Sequence, residues 1–251
     1  MTALRVLLVL SGLLILWHVL VEITSVPPYI LPGPLSVAEI FISRFPTLIQ
    51  HAGYTLSEIL LGFFIGAFFG CGSALALATA KPLRLWLTPV LVITQSLPVF
   101  ALAPILVLWL GYGLPSKVAM AVLIIYFPIT AAFYDGLRRT PRDWQDLATV
   151  MNASSLAFLI HVRIPLALPS LASGLRVAIA TAPIGAIVGE WVGSSQGLGY
   201  LMLHANGRMQ IDLMFAALSL LALMAVTLYL TTDHLLNQLI KRMSLDDLRT
   251  Q

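Results

Sequence analysis

Five consecutive residues, Gly193 to Gly197, read G-S-S-Q-G and fit G-x-S-x-G, the pattern that presents a serine nucleophile on a strand-to-helix turn. That chemistry requires a preceding strand and acid and histidine partners for Ser195. Here a long apolar run precedes the motif, and His18, His51, His161, His204 and His234 have no recognisable partner spacing. The segment therefore reads as a flexible outer loop. Two charges bracket the apolar run before it, Arg176 and Glu190. Charged groups inside such a run are costly and usually face protein or water, which makes Arg176 a candidate solute contact, with snorkelling to the membrane surface as its plainer role. Glu190 lies at the end of the run, where simple solvation would suffice. Gln95 and Ser96 adjoin Pro98 in TQSLPVFALAP, a place where polar groups could line a water-filled path. The single cysteine, Cys71, supports neither a disulfide framework nor a cysteine-based metal site. No G-x-x-x-x-G-K-[ST] phosphate loop occurs, so ATP hydrolysis in the usual way would need another polypeptide.

The elements that must hold these residues are set by composition. Hydrophobic residues make up 59% of the chain and charged residues 10%, against roughly 25% charged in a soluble domain. A bilayer core about 30 Å thick takes about 20 apolar residues of helix. Six such runs occur, near residues 4–23, 55–79, 86–110, 117–137, 169–191 and 212–232. Their continuous apolar character favours helices over the alternating strands of a barrel. The first run lacks a small-x-small cleavage site before Pro27 and Pro28 and reads as an uncleaved span. The net charge is +3, and its location is more telling than its size. With the N-terminus inside, ten Lys and Arg residues fall on inner segments and three on outer ones, which places both termini in the cytoplasm. That basic excess needs no nucleic-acid partner.

Within the runs, Gly62, Gly66 and Gly70 recur every four residues, and so do Ser170, Gly174, Ala178, Ala182 and Ala186. Such stripes suit either close helix contact or a lining that leaves room. Pro89, Pro98 and Pro104 each remove a backbone donor from the third run and predict a kinked or broken helix. Between the first two runs, an amphipathic stretch from Val37 to Ile49 follows PPYILPGP and is expected to lie along the membrane surface.

Residues 140–165 are unlike anything around them. Thr140 can cap a helix, Pro141 suits its first position and Asp143 places a charge at the positive helix end. Trp144, Leu147, Ala148 and Met151 then share one face. Asn152 tolerates a left-handed turn, Ser154 can cap a second helix over residues 155–162, and Pro165 is expected to stop it. Two short helices rooted in the fourth and fifth spans form a lever on the inner face.

The stretch from Asp146 to Pro169 resembles the EAA motif of binding-protein-dependent ABC importer permeases. Asp146 stands where that family usually has Glu, Leu147 and Ala148 stand at its paired alanines, and Asn152 at its glycine; Arg163, Ile164 and Pro165 close the motif. The likeness runs from Leu31 to about Met243. SLPVFALAPILVLWLGYG, FPITAAFYDGLRRT and GEWVGSSQGLGYL resemble the taurine, sulfonate, nitrate and pyrimidine branch, and QSLPVFALAP and MNAS most resemble permeases for hydroxymethylpyrimidine-type thiamine precursors.

The resemblance implies an all-α membrane protein, a single permease domain over residues 1–251 with the six-span bundle of a type I importer permease and a cytoplasmic coupling hairpin at 140–165. It implies a homodimer of this chain in the inner membrane, two copies of a separate ATPase subunit that uses the ATP, and a periplasmic or lipid-anchored solute-binding protein. The chain itself would be no enzyme and bind no cofactor. Asp146, Leu147, Ala148, Asn152, Ser154, Arg163 and Pro165 would couple to the ATPase. Spans three and five would line the path, with Gln95, Ser96, Pro98, Arg176, Ala182 and Glu190 along it or at its gate. Sulfonate, taurine or nitrate is the alternative cargo within the family. An ion-coupled secondary transporter is the alternative of another class, disfavoured because no repeated halves are seen and Glu22, Glu58, Asp135 and Glu190 lie toward span ends. An intramembrane hydrolase using Ser195 is a third.

Overall fold

The computed structural model describes residues 3–249, whose regular secondary structure is all helix, with no strand among them. In order, the helices are α1 (Ala3–Thr24), α2 (Pro34–Ser43), α3 (Phe45–Thr79), α4 (Lys81–Ser96), α5 (Val99–Leu110), α6 (Leu114–Arg138), α7 (Arg142–Val150), α8 (Ser155–Phe158), a π-helical turn (Leu159–Arg163), α9 (Ile164–Gly193), α10 (Leu198–Gly207) and α11 (Ile211–Arg249). By length and composition alone, Phe45–Thr79, Leu114–Arg138, Ser155–Gly193 and Ile211–Arg242 are each able to cross a membrane. The first expected span is α1. The third is divided between α4 and α5.

Two boundaries depart from the sequence expectation. The amphipathic stretch after Val37 is not one helix: α2 ends at Arg44 (φ −104°, ψ 14°), and α3 starts at once with Pro46 in its first turn, well before residue 55. Pro46 needs no intrahelical donor there, so the chain can break and restart. In the third run only Pro98 breaks the helix. Pro89 and Pro104 sit inside α4 and α5, while Leu97 and Pro98 are extended between them.

Helix α6 lies at the centre, packed along α9 on one side and α3 on another, with α11 closing over α9. Glycine makes this possible. A Cβ on Gly185 would sit 2.6 Å from the Ala121 Cα, and one on Gly174 would sit 2.9 Å from the Pro128 carbonyl oxygen. On α3, a Cβ at Gly62 would approach Ala121 to 2.5 Å, so that glycine stripe also serves contact within the chain. The α9 stripe does the same: Gly174, Ala178, Ala182 and Ala186 are buried, and Ala178, Ala182 and Ala186 join Ile59, Ala121, Ile125, Ile129 and Ile179 in the central cluster. Of the two roles open to small residues, tight contact is the one adopted.

A second apolar cluster lies at each end of the bundle. Ala74, Phe133, Leu137, Leu159 and Ala167 pack at the end that carries the hairpin; Val37, Leu48, Leu198, Ala216 and Leu220 pack at the opposite end. Helix α1 is peripheral, held by Trp17, which stacks on Phe215 at 5.7 Å and donates to the Pro32 carbonyl at 3.1 Å.

Candidate functional site

The hairpin is built by local chemistry at its bend. Asn152 takes φ +49°, and the chain closes there with Ala153 N donating to Ala148 O at 2.9 Å and Asn152 N to Thr149 O at 3.1 Å. This is the Schellman pattern, which needs a residue tolerant of the left-handed region. Ser154 then caps the second helix by accepting from Ala157 N at 3.2 Å. Both features match the sequence reading.

The entry to the hairpin does not. Helix α7 is capped by Pro141 with no side-chain cap bond, and the Thr140 hydroxyl donates back to Leu137 O at 3.3 Å. Thr140 completes the end of α6 because the last carbonyls of that helix lack partners. The exit differs as well. Pro165 does not stop the helix; Ile164 stays helical (φ −63°, ψ −52°), and Pro165 occupies the first turn of α9. The π turn at Leu159–Arg163 shifts the hydrogen-bond register immediately before the proline, where a missing N–H and a bulky ring would otherwise break the ladder. The lever and the fifth span are thus one helical rod from Ser155 to Gly193.

Arg163 is turned inward at the root of this rod. Its Nε and Nη2 donate to Leu137 O at 3.0 and 2.8 Å, a cation on the negative end of α6. It ties the returning arm of the hairpin to the fourth span. Asp146 and Leu147 are exposed on α7, Ala148 is half-buried, and Val150 and Met151 are 85% and 71% exposed. Apolar groups are thus left bare beside Asp146.

Along the expected path the residues separate. The side chains of Gln95 and Ser96 lie outside the described residues. Pro98 is exposed at the α4–α5 break. Ala182 is fully buried against neighbouring helices. Arg176 pairs with α11, Nε donating to Asp233 Oδ1 at 2.6 Å and Nη2 to Asn237 Oδ1 at 2.7 Å. The face of α9 left open carries Ser173, Val177, Ala180 and Ile184, a stripe with no ionisable group.

Glu190 is not solvated. It is 1% exposed, and it accepts from Thr55 Oγ1 at 2.6 Å, Gly199 N at 2.5 Å and Tyr200 N at 3.2 Å. Thr55 in turn accepts from Leu198 N at 2.8 Å, and Gly197 N donates to His51 Nδ1 at 3.0 Å. The four amides from Gly197 to Tyr200, which open α10, are all taken by side chains of the chain itself. The G-S-S-Q-G segment is therefore pinned at its end, contrary to the flexible loop expected. Ser195 is exposed, and Ser194 folds back on Gln196.

Lys117 completes this end. It is 2% exposed and donates to the carbonyls of Tyr112, Gly113 (2.9 Å) and Gly193 (2.5 Å), joining the α5–α6 turn to the end of α9. Glu58, 4% exposed, lies beside Glu190. Thr55, Glu58 and Lys117 were not among the sequence candidates. A signal for two of them exists: Thr55 and Glu58 lie seven and four positions before Gly62, on the glycine face of α3 that must meet α6.

Residues 62–245 match the family of binding-protein-dependent transport system inner membrane components. The probable ABC transporter permease protein of Haemophilus influenzae is 54% identical, covering 94% of this chain and 97% of its own. The riboflavin transport system permease protein RibX of Chloroflexus aurantiacus is 38% identical, with 92% and 86% covered. The formylaminopyrimidine transport permease protein ThiX of Halalkalibacterium halodurans is 35% identical, with 85% and 86% covered. Among solved structures, the inward-facing MetNI methionine ABC transporter aligns with a TM-score of 0.67 at 20% identity, over 78% of this chain and 97% of that one, a likeness of fold.

Proposed function

We propose, for a chain that belongs to the binding-protein-dependent transport system inner membrane components and so forms the permease subunit of an ABC importer, that its cargo is an uncharged nitrogen heterocycle of the hydroxymethylpyrimidine class of thiamine precursors. One observation carries the cargo class: Arg176, the cation nearest the middle of α9, is engaged by Asp233 and Asn237, while the open stripe Ser173, Val177, Ala180 and Ile184 offers no charge. A sulfonate or nitrate would leave water for that surface without a counter-charge, at high cost. The cargoes for which two relatives are named, a formylaminopyrimidine and riboflavin, are likewise nitrogen heterocycles.

In this reading the chain works as a homodimer with two ATPase subunits under its hairpins and a solute-binding protein at the opposite end. The excess of Lys and Arg on the segments taken as inner, ten against three, supports a cytoplasmic hairpin and cytoplasmic termini. ATP closes the ATPase pair and draws the hairpins together. Because Ser155–Gly193 is one rod and Arg163 ties it to α6, that motion reaches spans four and five directly. The hairpin shifts the bundle between inward and outward access only through a difference in interaction energy between the two states.

The test is a binding measurement on the partner solute-binding protein, hydroxymethylpyrimidine against taurine, followed by uptake in vesicles holding the assembled transporter. Pyrimidine binding and ATP-dependent pyrimidine uptake are expected. Preference for the sulfonate refutes the cargo, and uptake that persists without ATP but collapses with an ion gradient refutes the importer mechanism.

A further inference from the structure

Four consecutive amides open α10, and three side chains from two other helices receive them. Gly197 N donates to His51 Nδ1 at 3.0 Å, Leu198 N to Thr55 Oγ1 at 2.8 Å, and Gly199 N and Tyr200 N to Glu190 Oε2 at 2.5 and 3.2 Å. His51 and Thr55 are one helical turn apart on α3, so a single face of that helix meets the turn. The turn is a demanding one. Gly197 has φ +107°, and a Cβ there would overlap the Glu190 carboxyl, so these contacts hold a backbone that residues with side chains rarely adopt.

The three acceptors differ in their access to protons. Thr55 and Glu190 are 0% and 1% exposed and are bonded to each other at 2.6 Å. His51 is half-buried, its ring stacked on Tyr200 with centroids 5.9 Å apart. A backbone N–H can only donate, so His51 Nδ1 must present its lone pair; the ring is neutral, with its hydrogen on Nε2. A proton taken from water onto Nδ1 would set two donors face to face and strand the buried Gly197 amide. Imidazole is the side chain that takes such a proton near neutral pH.

The ionisable groups around His51 hold other partners or stand apart. On α3, Tyr54 is exposed and Glu58 lies two turns further on. Glu190 of α9 is committed to the later amides, and Lys117 of α6 to the carbonyls of Tyr112, Gly113 and Gly193. His204 of α10 lies against Tyr200 at 4.0 Å, with its Nδ1 3.1 Å from Tyr200 O, inside its own helix. Arg44, before α3, and Asp212, on α11, line a separate small cavity with Ile40 and Gln210.

We infer that His51 is a positioning residue for the α9–α10 loop and acts only as the neutral ring: its Nδ1 holds Gly197, and protonation of that nitrogen releases residues 194–197 while Thr55 and Glu190 keep the start of α10 in place. The contact is present at high pH and is lost as the pH falls.

The full chain in liposomes, with Cys71→Ala and a nitroxide attached at Ser195→Cys, reads the loop directly, because Ser195 is exposed and two residues from Gly197. The label is attached before titration, so thiol ionisation does not enter. From about pH 8 to about pH 5, either side of the ordinary histidine value of about 6.5, the mobile fraction of the spectrum is expected to rise about tenfold, as a buried amide loses its acceptor. His51→Asn, which keeps an acceptor near the Nδ1 position, is expected to stay immobile over the whole range, and His51→Ala to be mobile throughout. His204→Asn is expected to titrate like the parent. Nitrogen-15 spectra of ring-labelled histidine supply a signature that packing alone would not move: at about pH 8 the His51 Nδ1 signal, assigned by its absence from His51→Asn, should be that of an unprotonated nitrogen. A parent that does not respond to pH, a transition that survives His51→Asn or vanishes in His204→Asn, an immobile His51→Ala, or a protonated Nδ1 at the alkaline end overturns the inference. None of these readouts depends on the cargo or on transport.

Discussion

The two ends of the bundle use polar and apolar residues in opposite ways. At the hairpin end, Trp144, Leu147, Val150 and Met151 are exposed on or at the end of a helix with no buried residue, while Arg163 and Thr140 brace the root. At the opposite end, Glu58, Glu190, Thr55 and Lys117 are buried, and the loop is fastened through its own amides. One end leaves apolar surface bare, and the other engages Glu190, Thr55 and Lys117 internally. The contrast teaches that the loop end completes its polar contacts within the chain, whereas the hairpin end leaves apolar contacts unmade.

Removing the buried cation should break the rigid end most severely. Lys117→Met leaves the carbonyls of Tyr112, Gly113 and Gly193 without this donor, and each buried acceptor so stranded costs about 1–3 kcal/mol. Denaturation of the detergent-solubilised chain should show that loss, and a stability equal to the parent would place the rigidity elsewhere.

A smaller effect is expected from Asn152→Pro at the hairpin. Proline fixes φ near −65° and cannot adopt +49°, so the bend is lost at a local cost of about 3 kcal/mol. The protein should remain in the membrane while ATP-driven uptake and ATPase stimulation disappear. Normal uptake would remove the hairpin from the coupling path.

The mildest variant sharpens the comparison. Ser154→Ala deletes only the cap on Ala157 N, at about 1 kcal/mol, and should weaken ATPase stimulation without altering the opposite end. Proteolysis of the hairpin and labelling of the α9–α10 loop, measured on the same sample, would show whether the two ends respond separately.

Much of the hairpin is legible in the sequence. Asn152 and Ser154 act on backbone groups within four residues, so their roles follow from local chemistry. Pro165 misleads because the π turn that absorbs it is held by the packing of Leu159 and the reach of Arg163 to another helix. Arg163 itself shows as a basic residue in a motif, and its partner, a backbone carbonyl 26 positions away, leaves no mark on the sequence. Glu190 fails for the same reason: a charge at the end of an apolar run reads as solvated until Thr55, 135 positions distant, is brought against it.

The sequence by itself determined the membrane helices, the small-residue faces and the left-handed bend at Asn152, because hydrophobic length, periodicity and backbone tolerance are properties of neighbouring residues. Only the tertiary structure decided that the α9 stripe packs rather than lines, that Arg176 is engaged by Asp233, and that Glu190 is a buried anchor. Those outcomes depend on which helix lies against which. The energy of a charge is set by the groups that surround it in space, and its neighbours in the chain do not specify them.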